Sequence, residues 1–102
     1  MGQVAGGWQR MAYIYQVWNV GEAHLCASVV NDPAMADLWV YRASSLGMAS
    51  GDACWHITTD REMARTWVYF GSMGEAQLRI YFVSDRGQAG WRKSHPWKGR
   101  LR

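Results

Sequence analysis

The sequence predicts a single, mostly β domain built from six short tandem repeats. Three observations support this prediction. An alanine recurs at a nearly constant interval, and apolar residues alternate with residues of mixed type within each interval. A segment typical of a turn follows each alternating stretch. The recurring alanines are Ala23, Ala36, Ala49, Ala64, Ala76 and Ala89. A spacing of about 13 residues indicates one structural unit per interval.

The repeats divide the chain into three parts. We assign an N-terminal extension to residues 1–11, the repeat domain to 12–90 and a basic C-terminal tail to 91–102. The units are residues 12–24, 25–37, 38–50, 53–65, 66–77 and 78–90. Only Gly51-Asp52 is inserted, and one residue is missing from the fifth unit. Positions in the repeat are therefore comparable from unit to unit.

Each unit is predicted to be a strand followed by a tight helical turn. Positions one to six alternate and are rich in β-branched and aromatic residues, as in residues 78–83. Polar side chains that can start a turn follow at position seven or eight, among them Asn31, Ser44, Thr59 and Ser84. Asn19 and Asp85 have Glu or Gln three residues later, which is the spacing of a capping box.

The last unit, Leu-Arg-Ile-Tyr-Phe-Val-Ser-Asp-Arg-Gly-Gln-Ala-Gly followed by Trp91-Arg92, resembles an uncharacterised family of small tandem-repeat proteins. That family has copies of an Ile-Tyr-Phe-Val-x-Ser-Arg-Gly-x-Ala-x-Leu-like unit, and its members often begin like residues 11–15 here. The resemblance covers residues 12–92, closely in the first and last units. It implies a repeat fold and transfers no activity and no site.

The arrangement of the strands is predicted from the two sets of alternating positions. Positions one, three and five are apolar in fifteen of eighteen places, so they form the core side. Positions two and four are aromatic in every odd unit and in only one of six places in the even units. This two-unit period predicts a flattened β-solenoid with two units per coil, in which consecutive strands are not neighbours. An antiparallel meander and a small closed barrel are the alternatives.

The aromatic positions give the first functional prediction. In the solenoid they would form one large aromatic surface: Tyr13, Tyr15, Trp39, Tyr41, Trp67 and Tyr69. A soluble monomer rarely leaves such a surface uncovered, and Tyr and Trp dominate protein interfaces. We therefore expect a non-catalytic protein-binding module, of which an immunity or antitoxin-like protein is one example. A homo-oligomeric structural protein is an alternative.

Charge placement gives a second functional hypothesis. Residues 1–90 contain six basic and eight acidic residues, whereas the tail is purely basic, which leaves the chain at +3. The tail cations are Arg92, Lys93, Lys98, Arg100 and Arg102. Such a cluster could contact phosphates, so a nucleic-acid-associated protein that docks through the tail is the alternative function.

Two short His/Cys pairs are the candidates for a metal or thiol site. His24 precedes Cys26 by two residues, and Cys54 precedes His56 by two, so the solenoid would bring all four together. Two thiolates and two imidazoles suit zinc, although packing of two small thiols is the simpler interpretation and a disulfide is a further alternative. We expect no cofactor.

Other sequence features argue against catalysis and membrane insertion. No glycine-rich phosphate loop, nucleophile motif or carboxylate pair is present, so the chain is not expected to be an enzyme. No apolar run approaches the roughly 20 residues of a membrane helix. With two cysteines and no signal peptide, we expect a cytoplasmic protein.

Overall fold

The computed structural model describes residues 11–44, 49 and 51–101. None of them forms an α-helix, and six of the seven strands come from the six predicted units. The strands are β1 (Met11–Val17), β2 (Leu25–Val29), β3 (Leu38–Arg42), β4 (Gly51–Thr58), β5 (Thr66–Phe70), β6 (Leu78–Val83) and β7 (Gly90–Trp91). Single 3-10 turns cover Val20–Glu22, Pro33–Met35 and Arg86–Gln88. Residues 1–10 of the predicted extension 1–11 lie outside the described residues, and Met11 is the first residue of β1.

The predicted solenoid is wrong, because β1 to β6 close into one parallel barrel. Its order around the wall is β1, β5, β2, β6, β3, β4, and β4 pairs again with β1. The short β7 runs antiparallel beside β3. Closure removes the two open sheet edges that a solenoid leaves at its ends. Of the arrangements considered from the sequence, the small barrel is the one present.

The chain makes two circuits of the barrel. The first three strands are spaced around the wall, with β5 between β1 and β2 and β6 between β2 and β3. The last three strands fill those spaces, so the repeat has a three-unit period instead of two. Consecutive strands are non-neighbours as predicted, except that the end of β3 pairs with β4 through Tyr41 and Cys54.

Equivalent repeat positions form rings across the barrel. Ile14 pairs with Thr66, and its ring neighbour Val68 lies two residues beyond that partner. The same two-residue offset between a residue's paired partner and its ring neighbour recurs from strand to strand. The strands are therefore strongly tilted relative to the barrel axis. The middle ring is fully buried and consists of Ile14, Ala27, Val40, Trp55, Val68 and Ile80. The amino-end ring consists of Ala12, Leu25, Leu38, Ala53, Thr66 and Leu78, which confirms positions one and three as core.

Four of the segments that connect two strands also cap a neighbouring strand. The last residue of a unit donates its N–H to a carbonyl at position two, as His24 does to Trp67 at 2.8 Å. Its side chain often accepts in return: His24 Nδ1 from the Trp67 N–H, and Asp37 Oδ2 from the Arg79 N–H, both at 3.0 Å. Gln77 Oε1 does the same for the Cys26 N–H. The connections therefore extend the barrel's hydrogen bonding beyond the strands.

The 3-10 turns start at position eight. Asn19, Asp32 and Asp85 each accept from the N–H two residues further on. In these three units the N–H of the recurrent alanine donates to the carbonyl three residues earlier and ends the turn. Among the described residues there is no helix of the length and apolar character that crossing a membrane requires.

The amino end of the barrel is closed by the C-terminal segment. Leu101 is fully buried in the core cluster, and Trp91 and Trp97 pack against that cluster. The inserted Gly51-Asp52 makes this docking possible. Gly51 has φ of 61°, a conformation that favours glycine, and the Asp52 carboxylate accepts from the backbone N–H groups of Gly99 and Leu101.

Candidate functional site

Among the described residues nothing closes the carboxyl end of the barrel, and this end forms the candidate site. Position five of every unit points into it, and together these six side chains line a cavity of about 160 Å³. We call this ring the mouth: Gln16, Val29, Arg42, Ile57, Phe70 and Phe82. Whereas Leu101 closes the amino end, no side chain of the described residues is buried above the mouth in the same way.

The mouth has a polar half and an apolar half. Gln16 on β1 and Arg42 on β3 lie on either side of Ile57 on β4, because β4 separates those two strands. Val29, Phe70 and Phe82 belong to β2, β5 and β6, which form the opposite half of the wall. The strand order thus places one cation and one amide across from three apolar side chains.

A second cavity of about 330 Å³ continues outward from the polar half. It shares Gln16, Arg42 and Ile57 with the mouth. We call it the rim cleft; its remaining lining residues are Tyr15, Trp18, Thr58 and Thr59. The cleft adds hydroxyl groups and two aromatic side chains to the guanidinium and amide of the mouth.

Trp18 is the most exposed large apolar side chain of the described chain. It is 81% exposed, and it lies immediately after β1 at position seven of the first unit. The equivalent positions of the other units carry small polar residues: Asn31, Ser44, Thr59, Ser72 and Ser84. An indole at this one position is not required by the repeat, so packing does not explain it.

The side chains at this end of the barrel offer charged, hydrogen-bonding and apolar contact groups. Neither the mouth nor the rim cleft has a histidine, a cysteine or an acidic side chain among its described lining residues. Arg42 offers a delocalised cation, Gln16 and the threonines offer neutral hydrogen-bonding groups, and the aromatic rings offer apolar contact. This set suits a ligand that carries an anionic group beside an apolar one.

The six aromatic residues predicted to form one surface do not all lie together. β1 and β5 are neighbours, so Tyr15 contacts Trp67 with ring centroids 5.7 Å apart. β3 is on another part of the wall, where the ring centroids of Trp39 and Tyr81 are 6.1 Å apart. Tyr13 is next to His56 on β4. The aromatic side chains therefore form separate groups around the barrel.

The outward tryptophans are held by the connecting segments. Trp67 Nε1 donates to the Arg61 carbonyl at 3.2 Å, and the Arg61 guanidinium lies 4.7 Å from the Trp67 ring centroid. Trp39 Nε1 donates to the Pro33 carbonyl at 3.1 Å. Both indoles are half-buried. These contacts provide a structural reason for tryptophan at position two of the third and fifth units.

The four candidate metal ligands do not converge. Cys26 is on β2 and Cys54 is on β4, and neither strand is a neighbour of the other in the barrel. Both cysteines are buried and free, so the pairing expected from the solenoid does not occur. His24 caps β5, and His56 Nδ1 lies 3.3 Å from the Ala43 carbonyl. Within the described ranges, no group of three or more potential ligands could hold a metal ion.

Most of the basic tail is folded onto the barrel. The Arg92 guanidinium lies 4.3 Å from the Trp39 ring centroid, and Arg100 lies 5.0 Å from that of Trp97. Lys93 Nζ is 3.9 Å from Asp37 Oδ1. Lys98 lines a cavity of about 480 Å³ between the tail and the start of β4. Arg102 lies outside the described residues.

Sequence reasoning missed the mouth, although its signal is present in the repeat. Three of the eighteen core-side residues are polar, and two of them, Gln16 and Arg42, occupy position five. Trp18 is likewise the only aromatic residue at position seven. Once position five is known to form a ring around the barrel, the polar residues at that position identify the site.

Residues 11–92 match the sequence model of the 7(1) septoil knot domain, and the chain belongs to this family. The match covers all six units and supports a repeat-containing domain. No curated protein and no solved structure matches the chain. The family assignment carries no activity to the mouth, whose function has to be argued from its residues.

Proposed function

We propose that this septoil knot domain is a non-catalytic recognition module that binds a protein partner at the carboxyl end of its barrel. Trp18 is the anchor of the contact, and Arg42 is its charged neighbour in the rim cleft. The observation that carries the proposal is the 81% exposure of Trp18 at a position that is small and polar in the other units.

Residue types at this end support a protein partner. Trp and Arg are enriched among the residues that dominate binding energy at protein interfaces. Val20, in the turn after β1, is 58% exposed, and Val29 of the mouth is 47% exposed. Exposed apolar side chains therefore lie near an aromatic and a cationic one, which is the composition of an interface core more than of ordinary surface.

Burial also separates this surface from the aromatic groups on the barrel wall. Trp39 and Trp67 already contact connecting segments through their Nε1 atoms. The Trp18 indole has no such contact among the described residues, and it gains the most from being covered. Its burial by a partner would stabilise the complex by about 2 kcal/mol or more.

Site-specific photo-crosslinking tests the proposal. A benzoylphenylalanine residue is introduced at Trp18 in the native cell, and a matched variant carries it at Met35, which is 40% exposed in the turn between β2 and β3. We expect one protein to be crosslinked at position 18 and not at 35. The purified pair should form a stoichiometric complex that Trp18→Ser weakens at least tenfold.

Three results would contradict the proposal. The first is equal capture of the same proteins at both positions. The second is a reconstituted complex that Trp18→Ser does not weaken, with circular dichroism showing that the variant is folded. The third is crosslinking to a second copy of the chain with a dimer mass by light scattering, which would make the contact self-association.

A further inference from the structure

We infer that the mouth and rim cleft bind the C-terminal residue of a polypeptide, with its carboxylate on Arg42 and an apolar side chain inside the mouth. This inference rests on the proposed function, because it specifies which part of a protein partner reaches this end of the barrel.

The charge of the site calls for an anion. Arg42 is exposed, and the ion pairs of Asp37 with Lys93 and His95 do not involve it. No acidic side chain is among the described lining residues of either cavity, and the remaining residues 1–10, 45–48, 50 and 102 include no Asp or Glu in the sequence. A guanidinium without a carboxylate partner in the described part of the chain favours a carboxylate ligand, which it can hold with two parallel hydrogen bonds.

The size of the mouth fits one apolar side chain. A cavity of about 150 Å³ lined by aliphatic and aromatic residues can hold a benzene ring, and the mouth is a depression of about 160 Å³. Val29, Phe70 and Phe82 form its apolar half. An internal Asp or Glu could bring a carboxylate to Arg42, but it has no apolar side chain of its own to fill this volume.

The connection of the two cavities fits the branching of a C-terminal residue. Gln16, Arg42 and Ile57 line both cavities, so they form the junction between them. A C-terminal residue carries a carboxylate, a side chain and the preceding chain on one Cα. These three substituents match the guanidinium at the junction, the mouth on one side and the rim cleft on the other. The preceding chain would then pass Trp18.

Binding of short peptides to the purified full chain tests the inference. The probes are N-acetyl-Gly-Gly peptides ending in Phe, Leu, Ala or Asp, each as the free acid and as the C-terminal amide, together with phenylacetate. Titration calorimetry is carried out on the wild type, Arg42→Gln and Arg65→Gln. The last variant removes the same charge from an exposed residue just before β5, outside both cavities.

We expect the Phe and Leu free acids to bind more tightly than their amides by roughly tenfold or more. Arg42→Gln should abolish that preference, and Arg65→Gln should leave it unchanged. The Ala and Asp peptides should bind at least tenfold more weakly, because neither fills the mouth. Equal binding of acid and amide, or an unchanged preference in Arg42→Gln, would overturn the inference, as would no binding of the Phe and Leu acids.

Phenylacetate distinguishes a polypeptide from a free small acid. It supplies the carboxylate and the ring but no preceding chain, so it should bind at least tenfold more weakly than the Phe peptide. Equal affinity would show that the site takes a small organic acid and would overturn the polypeptide assignment. The inference and the proposed function also fail separately. A crosslinked partner that depends on Trp18, without any peptide binding, would refute only the inference.

Discussion

The Asp52 carboxylate accepts a hydrogen bond from the Trp91 indole, with Oδ2 and Nε1 2.8 Å apart. The two residues are 39 positions apart in the sequence. Asp52 belongs to the two-residue insertion in the repeat, and Trp91 begins the segment after the last unit. One buried carboxylate therefore attaches the C-terminal segment to the amino end of the barrel.

Replacing Asp52 should destabilise the whole domain. Asp52→Ala removes the acceptor of the Trp91 indole and of two backbone N–H groups, all of which stay near the barrel without a partner. We expect the free energy of unfolding to fall by about 3 kcal/mol in urea denaturation. The control is Asp85→Ala, which removes one exposed turn cap and should cost about 1 kcal/mol. Equal effects of the two variants would contradict the role given to Asp52.

The outward tryptophans and Trp18 should differ in what they stabilise. Trp67→Ser removes a half-buried ring that contacts Tyr15 and Arg61, so it should cost about 2 to 4 kcal/mol of folding free energy. Trp18→Ser removes an exposed ring and should change stability by less than about 0.5 kcal/mol. Thermal and urea unfolding of both variants check this. If Trp67→Ser is as stable as the wild type, Trp67 is not needed for folding and instead belongs to the binding surface expected from the sequence.

Much of the fold was predictable from the repeat, because local preferences act within one unit. The alternation in residues 78–83 predicts β6, and the polar residue at position eight predicts the start of a turn. Closure of the sheet was not predictable in this way. The aromatic residues of β1 and β5 suggested a two-unit period, yet Tyr15 and Trp67 meet because the second circuit inserts β5 beside β1.

The candidate site was hidden for the same reason. Gln16 and Arg42 are 26 residues apart in the sequence, and only the ring geometry shows that both border one opening. The insertion of Gly51-Asp52 was visible in the sequence, but its purpose depends on a tail contact that no local pattern encodes. Residues that depart from the repeat lie at both ends of the barrel. The closed structure is needed to show which other residues they adjoin.

Asp37 should act mainly as a hydrogen-bond acceptor. Its Oδ2 accepts from the Arg79 N–H at 3.0 Å, whereas Lys93 and His95 are both 3.9 Å from its carboxylate. Asp37→Asn keeps an acceptor and should cost less than about 0.5 kcal/mol, since partly exposed ion pairs contribute little. Asp37→Ala should cost about 1 to 2 kcal/mol. If both variants lose the same stability, and 1 M salt removes the loss, the ion pairs are the main contribution.

The Cys26 thiol should ionise only at unusually high pH. Burial raises its pKa, and the nearby Glu75 carboxylate raises it further. Because the folded state holds this proton more tightly than the unfolded chain, the contribution of Cys26 to stability is complete below the ordinary thiol pKa. That contribution is lost as pH rises through the pKa of the folded state.

Alkylation by iodoacetamide as a function of pH measures this shift. In a Cys54→Ala background, only Cys26 reacts, and the midpoint of its rate profile should lie above that of the same chain unfolded in urea. Glu75→Gln should lower the midpoint without reaching the unfolded value, since burial is the larger cause. A folded midpoint at or below the unfolded one would show that the thiol is neither buried nor opposed by Glu75.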